Sequence, residues 1–203
     1  MGAERNKVST TTDWTNKTRP DNVTTETSNG AQRIDAPPRV AIFVDCENLS
    51  QSVRLRLGGQ LDYLRLIDRL IGERELVDCV AYVLRPVGNR PLAYEAELAD
   101  VGIKVRTREK RPSRNGPGYI GGCWDVGLAV DAVRLASTYD VAIICSGQGS
   151  LVELVFQLKE MGKQIEVVGV DGSISGRLWR AAHAASLIGA KDLMTLVPDG
   201  AKR

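Results

Sequence analysis

From Val40 to Val44 the chain is apolar without a break, and it then stops in acid and amide, Asp45-Cys46-Glu47-Asn48. The stretch Val141–Cys145 does the same and ends in Ser146-Gly147-Gln148-Gly149-Ser150. An uninterrupted apolar run of strand length reads as a strand covered on both faces, which is the condition of a parallel sheet. Parallel strands end on one edge, where open α/β folds bind their ligands. The two polar stops therefore point to a single site, and the rest of the chain is read around them.

Segments of helical period separate further apolar runs. The face Leu61, Leu64, Ile67, Leu70 and Ile71 predicts a helix stopped by Gly72, with Ser50 as a candidate cap for a helix before it. Strands are expected at Leu76 to Leu84, at Ile103 to Thr107 with one wet face, at Asp140 to Cys145, at Gln164 to Val168, and at an edge from Leu193 to Val197. Helices are expected from Pro91 to Ala99, Asp125 to Ala136, Ser150 to Gly162 and Ser175 to Ala185. The third of these opens on a capping box, Ser150 with Glu153. Such alternation predicts an α/β fold, an open and mostly parallel sheet with helices on both faces. Residues 1–37, rich in Thr, Ser and Asn and poor in aliphatic side chains, are expected to form a disordered tail before a domain over 38–203.

Net charge is only +2, so a nucleic-acid surface has to be local. The local candidate is Lys104, Arg106, Arg108, Lys110, Arg111 and Arg114, which runs into a segment from Glu109 to Ile120 read as a Pro- and Gly-rich loop. Such a run favours sequence-tolerant phosphate contacts, and Tyr119 and Trp124 beside it are candidates to stack on unpaired bases. Cys46, Cys79, Cys123 and Cys145 lack zinc-ligand spacing, and no apolar run is long enough to span a membrane. A polar N-terminus without a secretory signal gives a cytoplasmic expectation.

Three stretches carry a resemblance: Val44-Asp45-Cys46-Glu47-Asn48-Leu49, Trp124-Asp125-Val126-Gly127-Leu128-Ala129-Val130-Asp131, and Tyr139 through Gly147. In that order and spacing, with Glu160-Met161-Gly162-Lys163 after them, the chain resembles the NYN domains of the PIN-like ribonuclease superfamily, in particular the LabA-like group. The resemblance spans about 39 to 190 and implies a Rossmann-like PIN-type fold, a divalent ion (Mg or Mn) on acidic residues, and hydrolysis of RNA phosphodiesters. It makes Asp45 and Asp125 the expected metal ligands, with Asn48 on water or phosphate as the third catalytic residue. Where active members carry two aspartates, this chain has Gln148 and Ser150, with Leu151 in place of an aromatic and Gly122 in place of a lysine. A site with two carboxylates instead of about four holds a hard cation weakly. Ser146, Gln148 and Ser150 then become candidate phosphate contacts, joined by Lys110, Arg111, Arg114 and Trp124 toward single-stranded RNA. Two functions follow as expectations: a ribonuclease with a weakened metal site, or an inactive RNA-binding or protein-interaction module on the same fold. Asp131 lies about 120° round the helix from Asp125 and is set aside from the site. His183 and Trp179, at i and i+4, are expected to pack together on the last helix.

Overall fold

The computed structural model describes residues 36–113, 119–120 and 122–195. Arg114, the Gly116-Pro117-Gly118 segment and residues 1–35 of the tail expected over 1–37 lie outside the described residues.

β1 (Arg39–Asp45) is the middle of the sheet and pairs in parallel with β2 (Glu75–Pro86) on one side and β5 (Val141–Cys145) on the other. β3 (Lys104–Pro112) extends the sheet beyond β2, while β6 (Gln164–Val170) and β7 (Ala184–Ile188) extend it beyond β5, all parallel. A two-residue strand, β4 (Tyr119–Ile120), runs antiparallel on β3, which makes the order β4-β3-β2-β1-β5-β6-β7. The chain builds outward from β1 in one direction, then returns to the other side of β1. That reversal opens a crevice between the carboxyl ends of β1 and β5, the switch point where open α/β sheets bind ligands.

Alternation along the strands divides the core. Val40, Ile42 and Val44 face α1 (Cys46–Arg56) and α2 (Tyr63–Ile71) together with Ala81, Val83, Ile143 and Cys145. Ala41 and Phe43 face the opposite layer, α4 (Asp125–Arg134) and α5 (Val152–Glu160), together with Tyr82, Ala142 and Ile144. Helices cover both faces, as the apolar strands require. α3 (Ala93–Asp100) and α6 (Gly176–Ala181) complete the layers.

Several boundaries differ from expectation, each for a local reason. Asp45, not Ser50, caps α1: its Oδ1 accepts the Asn48 N–H at 3.2 Å, so the helix starts directly at the strand's end. The buried face of α2 is Tyr63, Leu66, Ile67 and Leu70, while Leu64 is turned outward. The supposed basic loop is largely strand, since β3 continues to Pro112 and pairs Lys110 with Pro86. Ladder bonds to β2 need no apolar side chain, and charged residues are normal on a strand near a sheet margin. The capping box does not form, because the Ser150 hydroxyl donates to Asp125 and Glu153 is exposed, 3.9 Å from Arg177. A 3-10 turn, Gly149–Leu151, leads into α5 instead. α6 ends at Ala181 because His183 is tied to β6, its N–H donating to the Ile165 carbonyl and its Nδ1 accepting the Ile165 N–H. His183 therefore anchors a strand and does not share a helical turn with Trp179. Among the described residues the last parallel strand is β7; Leu193 makes an isolated bridge to Leu61, and the edge strand expected over Leu193 to Val197 runs past the described residues.

The closing segment is held by charge. Asp192, fully buried, accepts Arg69 Nε at 2.7 Å and Nη2 at 3.1 Å, and the Gly189 N–H at 2.9 Å. Arg69→Met leaves that carboxylate buried without its cation, so an expected loss of about 3–5 kcal/mol is measurable by urea unfolding.

Candidate functional site

Asp45 ends β1 and is 7% exposed. One of its oxygens caps α1 through Asn48 N–H, and the other accepts the Ser146 hydroxyl at 3.1 Å. Ser146, fully buried just past β5, also accepts the Gln148 N–H at 3.2 Å. Asn48 reaches across from α1 and accepts the Gly147 N–H at 2.7 Å. The carboxyl ends of β1 and β5 are thus stitched together by side chains from both. Gly147 is required there, since a Cβ would stand 2.6 Å from the Ser173 carbonyl oxygen. The Gly147 and Gln148 N–H groups, candidates for a phosphate cradle, already have internal partners. Ser146, a candidate phosphate contact by sequence, is buried and donates its hydroxyl to Asp45.

Burial pushes the Asp45 carboxyl up to about 6; the hydrogen bonds from Asn48 and Ser146 oppose the shift, and the neighbouring charges of Asp125 and Glu47 add to it. Asp125, the first residue of α4, is partly exposed and accepts the Ser150 hydroxyl. Both carboxylates open on one cavity of about 390 Å³, whose walls also include Asn48, Gln148, Trp124 and Lys110. Gln148 is exposed in its wall, and Ser150, also exposed, adjoins it through Asp125.

Lys110 comes to this cavity from β3 and meets Glu47 at 2.7 Å, with the two side chains 19% and 26% exposed. Glu47 also accepts the Gln51 amide at 3.1 Å. Its contact with Lys110 spans 63 positions, and no local pattern announces it. Arg111 stands exposed beside Lys110.

Trp124 lines the cavity but belongs to the core. It is 8% exposed, donates to the Val83 carbonyl at 2.9 Å, packs 5.3 Å from Tyr82, and carries the Arg108 guanidinium 4.2 Å over its ring. A ring so covered is not an open platform for a base. Asp131 is likewise structural, accepting Tyr82 Oη at 2.9 Å and ion-paired with Arg106 and Arg134. Burial works to raise its carboxyl, but the hydrogen bonds and charge of its partners outweigh it and hold the group below the usual carboxylate range. Asp131→Ala would leave Tyr82 and Arg106 without their shared acceptor. Given the polar groups orphaned, we expect a loss of about 2–4 kcal/mol in urea unfolding, with a smaller loss for Asp131→Asn.

Among the described residues, no three Asp, Glu, His or Cys side chains gather as a metal cluster. Three carboxylates line the cavity, and with Glu47 held by Lys110 the pair left for a cation is Asp45 and Asp125, with the Gln148 amide beside them. That donor set fits a single hard cation whose shell is completed by water and ligand oxygens, not a two-ion centre. No helix among the described residues is long and apolar enough to cross a membrane.

The chain is 26% identical over 151 residues to the low amplitude and bright protein LabA of Synechococcus elongatus, a match covering 71% of this chain and 81% of that one. A crystal structure of a Vibrio parahaemolyticus protein of unknown function superposes with a TM-score of 0.70 at 28% identity, covering 80% of this chain and all of that one. The NYN domain profile matches residues 39–188. NYN domains are PIN-like nucleases and generally use divalent metals. With the profile spanning every parallel strand of the sheet, the chain belongs to the NYN domain family.

Proposed function

We propose that this protein binds single-stranded RNA at the carboxyl-edge cavity and hydrolyses it slowly with one magnesium or manganese ion held by Asp45 and Asp125. The observation carrying this reading is that two carboxylates, from the end of β1 and the start of α4, share one cavity with a lysine from β3. A bound ion would polarise a phosphoryl oxygen and lower the pKa of an attacking water. The chain's own groups prepare that encounter. Asn48 and Ser146 lock the Asp45 carboxylate in place, so no reorganisation is needed when a charged ligand arrives. Ser150 does the same for Asp125. Lys110 and the exposed Arg111 supply positive charge toward the strand's phosphates, and Gln148 adds an uncharged polar group where two further carboxylates would repel them.

A second reading, RNA binding without cleavage, is favoured by the Ser150–Asp125 hydrogen bond, which engages one oxygen of a prospective metal ligand. Both readings share the RNA contact, and that contact is tested first. Retention of a mixed-sequence single-stranded RNA on a filter, across a salt series, should fall linearly in log–log form. Lys110→Ala should weaken it at all sequences and reduce the salt slope by about 0.7 if one phosphate contact is lost. Salt-independent retention, or a slope unchanged in Lys110→Ala, would remove RNA from this face.

A further inference from the structure

A second, larger cleft of about 550 Å³ lies next to the carboxylate cavity. The two share Glu47, Gln51 and Lys110, so the Glu47–Lys110 ion pair is the wall between them. Its character differs from the first. Tyr94 and Tyr63 line it with ring centroids 4.8 Å apart, and Leu61 and Leu92 add apolar surface. Tyr63 is fixed: it is 4% exposed, and its hydroxyl donates to the Cys46 carbonyl at 3.0 Å. Tyr94 is half-buried at the start of α3 and is backed by Tyr63. The exposed amides of Gln51 and Gln60 stand at the cleft's walls.

We infer that this cleft is a nucleobase subsite, receiving a base of the same strand whose phosphate lies beyond the Glu47–Lys110 wall; the inference rests on the RNA reading above. An aromatic ring with solid backing is what a base needs in order to stack. Side-chain amides carry both donor and acceptor and suit the hydrogen-bonding edge of a base. The volume falls in the range of about 300–1,000 Å³ typical of small-molecule sites. Trp124, one of the two residues whose sequence position suggested stacking, is covered by Arg108 and packed in the core. Stacking on Tyr94 therefore shifts the base contact from the α4 side of the cavity to the α1–α3 side.

The test uses the full chain, with calcium in place of magnesium to limit cleavage. Two probes are compared by fluorescence anisotropy: a short mixed-sequence single-stranded RNA, and a ribose-phosphate backbone of equal length without bases. The wild type is expected to hold the base-bearing strand about ten- to a hundredfold tighter. Tyr94→Phe, which keeps the ring, should retain that preference. Tyr94→Leu and the surface change Gln60→Ala should lose most of it without altering affinity for the bare backbone. Equal binding of the two strands by the wild type, or a preference that survives in Tyr94→Leu, overturns the subsite while leaving RNA at the carboxylate cavity intact. Equal weakening of both strands by Tyr94→Leu also overturns it, since the ring would then serve the fold. Absence of binding by either strand overturns both readings.

Discussion

Gln148→Asp combined with Ser150→Asp is expected to raise manganese-dependent RNA cleavage by about a hundredfold, because affinity for a hard cation grows with ligand charge. Gln148 lines the cavity that holds Asp45 and Asp125, and Ser150 adjoins it through its bond to Asp125. The same change replaces the Ser150 hydroxyl, which donates to Asp125, with a second carboxylate beside it. Without metal the double variant should therefore melt below the wild type. Manganese should reverse the order, since an ion that binds only the folded state stabilises it by mass action. Thermal melts in EDTA and in manganese check this alongside the cleavage rate. A folded double variant that gains manganese stabilisation but no cleavage would assign the groove to binding alone.

Asp45→Asn is expected to stabilise the metal-free protein at neutral pH by about 3 kcal/mol, even as it removes a metal ligand. The sign follows from burial. In the folded protein Asp45 keeps its proton up to about pH 6, whereas the ordinary value is 3.8. Between those values the folded state binds more protons than the unfolded one. The stability contributed by this group is thus fully present below 3.8, falls as pH rises through the window, and is gone above about 6. An amide has no such dependence, and its oxygen can still accept the Asn48 N–H. Urea unfolding in EDTA from pH 4 to 8 should give curves that diverge with rising pH, the variant being the more stable at the alkaline end. A variant less stable than wild type at pH 8 would mean that burial does not disfavour the Asp45 charge.

The central strands were legible because their chemistry is local. Val40 to Val44 and Val141 to Cys145 are apolar on both faces, and only a sheet covered by helices on both sides accommodates that. Asp45 was legible as a candidate because it stands where a strand ends at the carboxyl edge, whereas Asp125, a helix-start aspartate by position, became one only through the resemblance its motif carries. What escaped detection depends on contacts distant in sequence. β3 reads as a loop after Thr107 because its continuation is held by ladder bonds to β2 and by Arg108 lying on Trp124, and neither leaves an apolar pattern. β7 is disguised by Ala184-Ala185-Ser186, small residues that prolong the helical pattern of α6 until the two His183 bonds to Ile165 end it. Ser150 and Glu153 fit a capping box, yet the hydroxyl finds a stronger acceptor in the Asp125 carboxylate. The Tyr63–Tyr94 cleft joins α2 to α3 and had no signature at all.

The most direct measurement is cleavage of a mixed-sequence single-stranded RNA by wild type and Asp45→Asn, purified in parallel, in manganese, magnesium and EDTA. The account predicts slow cleavage by the wild type with manganese or magnesium, none in EDTA, and a drop of about a hundredfold or more in Asp45→Asn while both proteins retain the RNA at low salt. Equal cleavage by the two proteins, or retention of RNA with no metal-dependent cleavage by the wild type, would contradict it.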